Sequence, residues 1–207
     1  MIKIIKQFTR ISLVIILFSS CAKVFYSPDA YTLAHKHKSI AILPPEVTIT
    51  VKKKVDEKAL KEQQKIESLN FQKELYAWLL KRKSKGKPFP EIVDIETTNA
   101  KLKKAGYPEK PLSPAELCEV LGVDGILISN FDLSKPLSEK TAVVVGLLSG
   151  MYGPTNEVRV SLSIFDKSKQ KQIWNYNHRM SGGITTTPHR LVDALMKDAS
   201  KKMPYMK

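Results

Sequence analysis

The pattern of apolar and polar residues along the chain predicts alternating strands and helices. Residues Ser39–Leu43 form a compact apolar run stopped by the Pro-Pro pair at 44–45, which predicts a buried first strand. From Asp56 to Lys83 the apolar residues recur with a helical period, and Gly86 marks the end of this pattern. The predicted helix has an apolar stripe made of Ile66, Leu69, Leu75, Tyr76, Leu79 and Leu80.

A second strand and a short helix are predicted next. The apolar run Glu91–Ile95 is short enough for a strand. Thr97 or Thr98 is then expected to cap a helix that stops at Gly106.

The clearest helix boundary in the chain begins at Ser113. Its hydroxyl can cap the helix, a proline occupies the first helical position and Glu116 the third, and Gly122 lies just past the end. The run Gly125–Asp132 follows at once and is almost unbroken in its apolar character. Such runs are buried on both faces, so we expect a central strand of an α/β layer.

The C-terminal third predicts a hairpin and a last helix. Glu157–Phe165 and Gln172–Met180 alternate apolar and polar residues on either side of the polar turn Asp166–Lys171. Thr187–Pro188 opens a helix with an apolar stripe. Together the elements predict a single α/β domain with a mixed sheet of about five strands, an antiparallel edge hairpin and helices packed on the sheet.

The N-terminus is built like a secretory signal. Lys3, Lys6 and Arg10 precede the apolar run Ile11–Phe18, which is too short to span a bilayer. Two serines and Cys21 follow, and this ending resembles the lipobox of bacterial lipoproteins, although Phe18 replaces the usual aliphatic residue. The resemblance implies that residues 1–20 are removed and that Cys21 is acylated. The alternative is an ordinary secreted protein in which Cys21 is incidental.

Residues 21–38 are expected to form a tether, and residues 39–207 to form the folded domain. The tether segment mixes aromatic and polar residues without a period and contains Pro28. His35 and His37 lie within it, but no third ligand is near, so we expect a solvated linker and no metal site. No motif for a cofactor is present.

The positive net charge of the chain indicates which kinds of partner it could bind. The chain has 34 basic and 20 acidic residues, and loss of the signal leaves 31 basic residues and a net charge of +11. An exported, lipid-anchored protein rarely meets nucleic acid, so anionic lipid head groups or an acidic partner are favoured. A plain solvated basic surface is the alternative. Once Cys21 is acylated only Cys118 remains, which excludes an internal disulfide.

Three stretches resemble a known group of proteins. They are the helix-to-strand passage 115–127, the hairpin Val158–Trp174 and the first strand with its prolines, Ile40–Pro45. All three are similar to parts of periplasmic lipoproteins related to the curli secretion channel subunit, and to the lipoproteins that activate penicillin-binding proteins. The resemblance implies a compact α/β domain, somewhat like an anticodon-binding domain, and a role in envelope assembly without catalysis.

The chain departs from the channel subunits in its loops. Those subunits have two long membrane-inserting hairpins, whereas the turn Asp166–Lys171 has no room for one. The insertion 134–156 does contain an apolar run, Ala142–Tyr152, but the run does not alternate as a lipid-facing strand should. A buried loop or short helix is one interpretation, and a partner or membrane contact is the other. The contact residues would be Val143, Val144, Val145, Leu147, Leu148, Met151 and Tyr152.

No catalytic set of residues is evident in the sequence. Cys118 lies between apolar neighbours in a predicted helix and is expected in the core. His178 and His189 have no nucleophile motif nearby. Asp124 and Asp166 lie at turns, where a carboxylate can accept hydrogen bonds from the backbone.

The sequence therefore predicts a lipid-anchored envelope protein that acts as a non-catalytic accessory or scaffold subunit. Position 22, directly after the cysteine, is alanine. By resemblance to the sorting rules of bacterial lipoproteins, an aspartate there would retain the protein at the inner membrane. We therefore expect the protein at the periplasmic face of the outer membrane. The expected partners are the membrane, through the lipid on Cys21, and a protein of an envelope complex, with a homo-oligomer as a further option. An oligomeric export pore and an enzyme of unrecognised type are the alternatives.

Overall fold

The structure is a computed structural model that describes residues 22–51, 56–86, 89–135, 157–181 and 188–206. Within these ranges the chain forms seven strands and five α-helices. In chain order they are β1 (Lys23–Tyr26), α1 (Ala30–Ala34), β2 (Ser39–Ile42), β3 (Glu46–Val51), α2 (Glu57–Lys83), β4 (Glu91–Ile92), α3 (Ile95–Lys104), α4 (Pro114–Leu121), β5 (Gly125–Lys135), β6 (Glu157–Asp166), β7 (Lys171–Ser181) and α5 (Pro188–Lys202), followed by a 3-10 turn (Pro204–Met206).

One mixed sheet contains all seven strands: six lie in the order β1-β7-β6-β5-β2-β4, and β3 pairs with β5 beside β2. Strand β5 pairs antiparallel with β6 on one side and parallel with β2 on the other. Pro44 and Pro45 interrupt the chain only briefly, because β3 continues the parallel pairing farther along β5. The predicted α/β domain with a mixed sheet is confirmed, and its central strand is the one that the sequence predicted.

The larger core lies on one face of the sheet, beneath α2 and α5. Phe71 of α2 stacks on Phe131 of β5 with ring centroids 4.1 Å apart. The smaller core lies on the opposite face, where Leu102 of α3 and Leu117 of α4 pack against Ile126 of β5. Burial of each large apolar side chain contributes about 1.5–3 kcal/mol, so the larger core provides most of the stability.

Local signals set most of the helix ends. Asp56 caps α2 by accepting from the backbone N–H of Lys58 at 2.9 Å. Ser113 and Glu116 form the predicted capping box of α4, and Gly122 ends that helix in the left-handed conformation at φ 72°. Helix α3 differs from the prediction, because Asp94 caps it in place of Thr97 or Thr98. The strand expected to reach Ile95 is therefore shorter and ends at Ile92.

The segment expected to be a tether is folded from Lys23 onward. Strand β1 pairs antiparallel with β7 and adds to the sheet outside the predicted hairpin, so β1 is the edge strand there. Helix α1 buries Ala30, Leu33 and Ala34. The sequence pattern did not predict these two elements because β1 has only four residues and α1 only five, which is too few for a hydrophobic period to be recognised.

We expect Leu33→Ala to lower the free energy of unfolding by about 2–5 kcal/mol, because Leu33 is buried in the larger core and its loss leaves a cavity. Chemical denaturation monitored by circular dichroism would measure this. Lys36→Ala, at an exposed position of the same segment, is the control and should change stability by less than about 0.5 kcal/mol. Equal, small effects of both variants would mean that the segment is a tether after all.

Candidate functional site

A buried histidine is the most chemically suggestive feature of the described residues. The ring of His37 lies between a carboxylate and a phenol: its Nε2 is 2.8 Å from Asp166 Oδ2, and its Nδ1 is 2.8 Å from the Tyr205 hydroxyl. The exposed fractions of His37, Asp166 and Tyr205 are 7%, 2% and 3%. An ionised carboxylate only accepts hydrogen bonds, so Nε2 donates to Asp166.

Three distant parts of the chain position this cluster. The backbone N–H of His37 donates to Ala34 O at the end of α1, Asp166 ends β6, and Tyr205 lies in the C-terminal 3-10 turn. Gly125 makes room for the imidazole, because a Cβ there would lie 2.6 Å from His37 Cε1. The cluster therefore links the segment before β2 and the C-terminal 3-10 turn to the start of the central strand.

Further hydrogen bonds hold Asp166 in its ionised form. Asp166 also accepts from the backbone N–H of Lys169 at 2.7 Å and from the Ser168 hydroxyl at 2.9 Å. Burial alone would raise the pKa of Asp166, but the hydrogen bonds from His37, Lys169 and Ser168 outweigh burial, and the pKa lies below its ordinary value. Burial raises the pKa of Tyr205 well above its usual range, so the phenol stays protonated at neutral pH.

The cluster has the parts of a general base but not the access. A histidine held by a carboxylate can take a proton only from a group within hydrogen-bond reach. Here both ring nitrogens are already bonded to buried protein groups, so no substrate atom can approach them. The arrangement is a buried hydrogen-bond network with a structural role.

The other residues considered for chemistry occupy structural positions. Cys118 is fully buried in the smaller core as expected, and burial raises its pKa to about 11, so the thiol stays protonated. His178 lies on β7, where burial lowers its pKa, and His189 on the surface of α5 pairs with Glu74 at 2.7 Å. Asp124 accepts from the backbone N–H groups of Lys38 and Ser39, in agreement with the structural role predicted for it.

The ranges that the structure describes contain no group of His, Cys, Asp or Glu side chains that could hold a metal ion. We also find in those ranges no helix with the length and apolar content needed for a bilayer crossing.

An open polar face of the sheet is the more accessible site. Beyond the smaller core, the face of the sheet opposite α2 and α5 is exposed. Polar residues of the neighbouring strands β3, β5, β6, β7 and β1 line up across this face. One cross-strand row contains Glu46, Asn130, Ser161, Asn177 and Lys23. With strands about 4.8 Å apart, this row is about 19 Å long.

A second row lies beside the first, nearer to the N-terminus of β1. It contains Thr48, Asp132, Arg159 and Arg179. Asn175 links neighbouring positions by donating to the hydroxyls of Ser161 and Ser163 at 3.1 and 2.8 Å. The two rows line a shallow depression of about 620 Å³ with charges of both signs. We call this surface the polar sheet face.

The alternation of residues in β5 and β6 is a sequence signal for the polar sheet face. Asn130 and Asp132 alternate with apolar residues in β5, as Arg159 and Ser161 do in β6, and a period of two puts each pair on one face of its strand. Only the pairing register shows that the pairs are neighbours. Two predicted sets lie outside the described residues: the lipid attachment residue Cys21, and Val143, Val144, Val145, Leu147, Leu148, Met151 and Tyr152.

Comparison with known proteins gives a limited result. No family model and no curated protein matches the chain. Among solved structures, the chain is similar to lipoprotein GNA1162 from Neisseria meningitidis, with 13% identity, a TM-score of 0.43, and coverage of 80% of this chain and 95% of that one. It is similar to the PelC dodecamer from Paraburkholderia phytofirmans, with 12% identity, a TM-score of 0.43, and coverage of 90% and 97%.

The C-terminal domain of LpoB from Escherichia coli is a further similar structure, with 12% identity, a TM-score of 0.32, and coverage of 70% of this chain and 84% of that one. The structural neighbours thus include a bacterial lipoprotein at low identity. TM-scores below 0.5 do not assign this chain to a family, and the resemblance to the curli channel subunit stays a prediction.

We expect His37→Ala to lower the free energy of unfolding by about 2–4 kcal/mol, because it leaves a buried carboxylate and a buried phenol without their partner. Thermal or denaturant unfolding would measure the loss. His35→Ala is the matched control, because His35 is exposed two residues away. If His37→Ala is as stable as this control, the cluster does not fasten the fold.

The pH dependence of stability should identify Asp166. Its pKa is lower in the folded than in the unfolded chain, so its ionised form stabilises the fold above the unfolded value of about 4, and this stabilisation is lost as the pH falls through the folded value. The stability difference between the wild type and Asp166→Asn should therefore shrink as the pH falls below about 4. Unfolding curves at each pH measure this difference, and a difference that stays unchanged between about pH 5 and about pH 2 would contradict the assignment.

Proposed function

We propose that the protein is a lipid-anchored accessory subunit of a cell-envelope assembly, held through acyl chains on Cys21 at the periplasmic face of the outer membrane. The signal-like residues 1–20, with Cys21 directly after them, support the anchor, and the position of β1 supports a close attachment of the domain to it. The sheet begins at Lys23, only two residues after Cys21, so the anchor and the folded domain are at most about 7 Å apart along the chain. The domain would then lie against the membrane surface, without a tether.

The topology supports one orientation on the membrane. Strand β1 runs antiparallel to β7, so its N-terminus lies toward the same end of the sheet as Arg179, Arg159 and Asp132. Strand β5 ends and β6 begins at that end, which means that the insertion between them leaves the sheet and returns to it there. We propose that this end faces the membrane and that the apolar run Ala142–Tyr152 contacts the membrane or the partner.

The polar sheet face is the surface we propose for a protein partner. It combines basic residues, Lys23, Arg159 and Arg179, with acidic ones, Glu46 and Asp132. A surface for anionic lipid or nucleic acid would be basic throughout, whereas mixed signs provide the specific charge pairs of a protein interface. An exported location disfavours nucleic acid as well.

We propose a scaffold role without catalysis. Two observations support this: the His37–Asp166 pair is sealed inside the protein, and Cys118 is kept as a neutral thiol in the core.

Cys21→Ser should move the protein from the membrane fraction to the soluble fraction, because it removes the acylated side chain. Fractionation of cells and immunoblotting would measure this. Cys118→Ala is the control and should remain membrane-bound. A Cys21→Ser protein that stays with the membrane would place the anchor elsewhere and contradict the proposed attachment.

A comparison of the lipidated protein with its Cys21→Ser variant also distinguishes the accessory-subunit hypothesis from the export-pore hypothesis. Light scattering of the detergent-extracted protein should give a monomer or dimer for both the lipidated and the Cys21→Ser forms. A large, discrete ring for the lipidated form would favour the export pore over the proposed role.

A further inference from the structure

The charges of the polar sheet face are divided between its two sides. Its acidic residues Glu46 and Asp132 lie on β3 and β5, and Glu157 begins β6, whereas neither β1 nor β7 contains an acidic residue. On this face β1 exposes Lys23 and β7 exposes Arg179. We call the side of the face formed by β1 and β7 the basic edge. It is basic throughout, although the face as a whole has charges of both signs.

The basic edge lies where the chain enters the sheet. Lys23 pairs with Asn177 in an antiparallel register, so Arg179, two residues farther along β7, is a diagonal neighbour of Lys23 on the side from which the chain reaches β1. Diagonal neighbours are about 7 Å apart, which is within reach of long side chains. Because Lys23 is only two residues after Cys21, a lipid on Cys21 would hold both cations at the level of the membrane head groups.

Phe25 adds an apolar group to this edge. Its side chain is 52% exposed, more than any other large apolar side chain in the described ranges. The alternation along β1 puts it on the same face as Lys23, and its register partner is the polar Asn175. An exposed aromatic ring next to basic residues is typical of surfaces at the membrane–water interface, where the ring meets the acyl chains and the cations stay with the head groups.

We infer that the basic edge binds the anionic head groups of the membrane, with Lys23 and Arg179 at lipid phosphates and Phe25 at the boundary of the acyl chains. This contact rests on the lipid anchor proposed above and adds the chemistry of the membrane surface to it. Arg179 has an interaction within the protein, but a guanidinium has five N–H donors and can also donate to a phosphate. The side of the face on β3 and β5, where acidic residues lie, stays available to the protein partner.

Vesicles test this contact without the anchor. The mature chain, residues 21–207 with Cys21→Ser, would be mixed at low ionic strength with vesicles of phosphatidylcholine alone, or of phosphatidylcholine and phosphatidylglycerol in equal amounts. Flotation measures the bound fraction. The partition coefficient should be at least about tenfold higher for the anionic vesicles and should fall as salt is added. At physiological ionic strength screening leaves this binding too weak to replace the lipid, so the release of Cys21→Ser expected in cells is unchanged.

Matched variants separate the basic edge from the general positive charge of the chain. The double variant Lys23→Glu, Arg179→Glu should lower the partition coefficient for anionic vesicles at least about tenfold. The control is the double variant Lys36→Glu, Lys85→Glu, which makes the same charge change at exposed positions near the other end of the sheet. It should lower the partition coefficient less than about threefold, because charges far from the membrane are screened.

The apolar part of the contact has its own pair of variants. Phe25→Ser should lower the partition coefficient at least about threefold, because it removes the ring from the interface. Ile66→Ser is the control: Ile66 is 43% exposed, but it lies on α2, on the opposite side of the sheet, and its loss should change nothing. Equal partition coefficients of these two variants would contradict the role of Phe25.

Two results would overturn the inference as a whole. One is an equal partition coefficient of the Cys21→Ser chain for the two kinds of vesicle, which would leave the basic edge to a protein partner. The other is an equal loss in the two double variants, which would mean that only the net charge of the chain matters. Neither result bears on the anchor, which is tested by fractionation of cells. Chemical denaturation of each variant would verify that the fold is intact.

Discussion

Strand β5 is the constraint on which the rest of the structure depends, because it joins the parallel strands β2 and β3 to the antiparallel strand β6. Its two halves meet different surroundings. The first half, around Ile126 and Leu127, is apolar on both faces and is covered by helices on both. In the second half Asn130 and Asp132 alternate with Phe131 and Leu133, so only one face can be covered. The change within this one strand divides the molecule into a closed layer and an open polar sheet face.

The His37 cluster determines how the ends of the chain meet this sheet. It holds the segment before β2 and the C-terminal turn against the start of β5, next to the end of β6. A buried charge is costly unless it is well bonded, and Asp166 has bonds to His37, Ser168 and a backbone N–H. Because the N-terminal segment is fixed in this way and paired with β7, an anchor at Cys21 would be rigidly connected to the domain.

Two surfaces of different chemistry then remain for partners. The polar sheet face has charges of both signs in a fixed register, whereas α2 exposes an aliphatic line made of Ile66, Leu69 and Leu80. They lie on opposite faces of the sheet.

The sequence by itself determined the features whose causes are local. The capping box at Ser113, the glycine end at Gly122 and the unbroken apolar strand after it all depend on residues within a few positions of one another, and all appear as predicted. The tertiary structure decided what depends on distant residues. His35 and His37 are equivalent in sequence, but only His37 meets Asp166, 129 positions away, and is buried. Likewise the predicted stripe of α2 joined Leu75 and Leu79, which are buried, with Ile66, Leu69 and Leu80, which are not. A periodic pattern shows that a helix has an apolar side, but where a helix has two such sides only the packing of the sheet beneath it decides which one is inside.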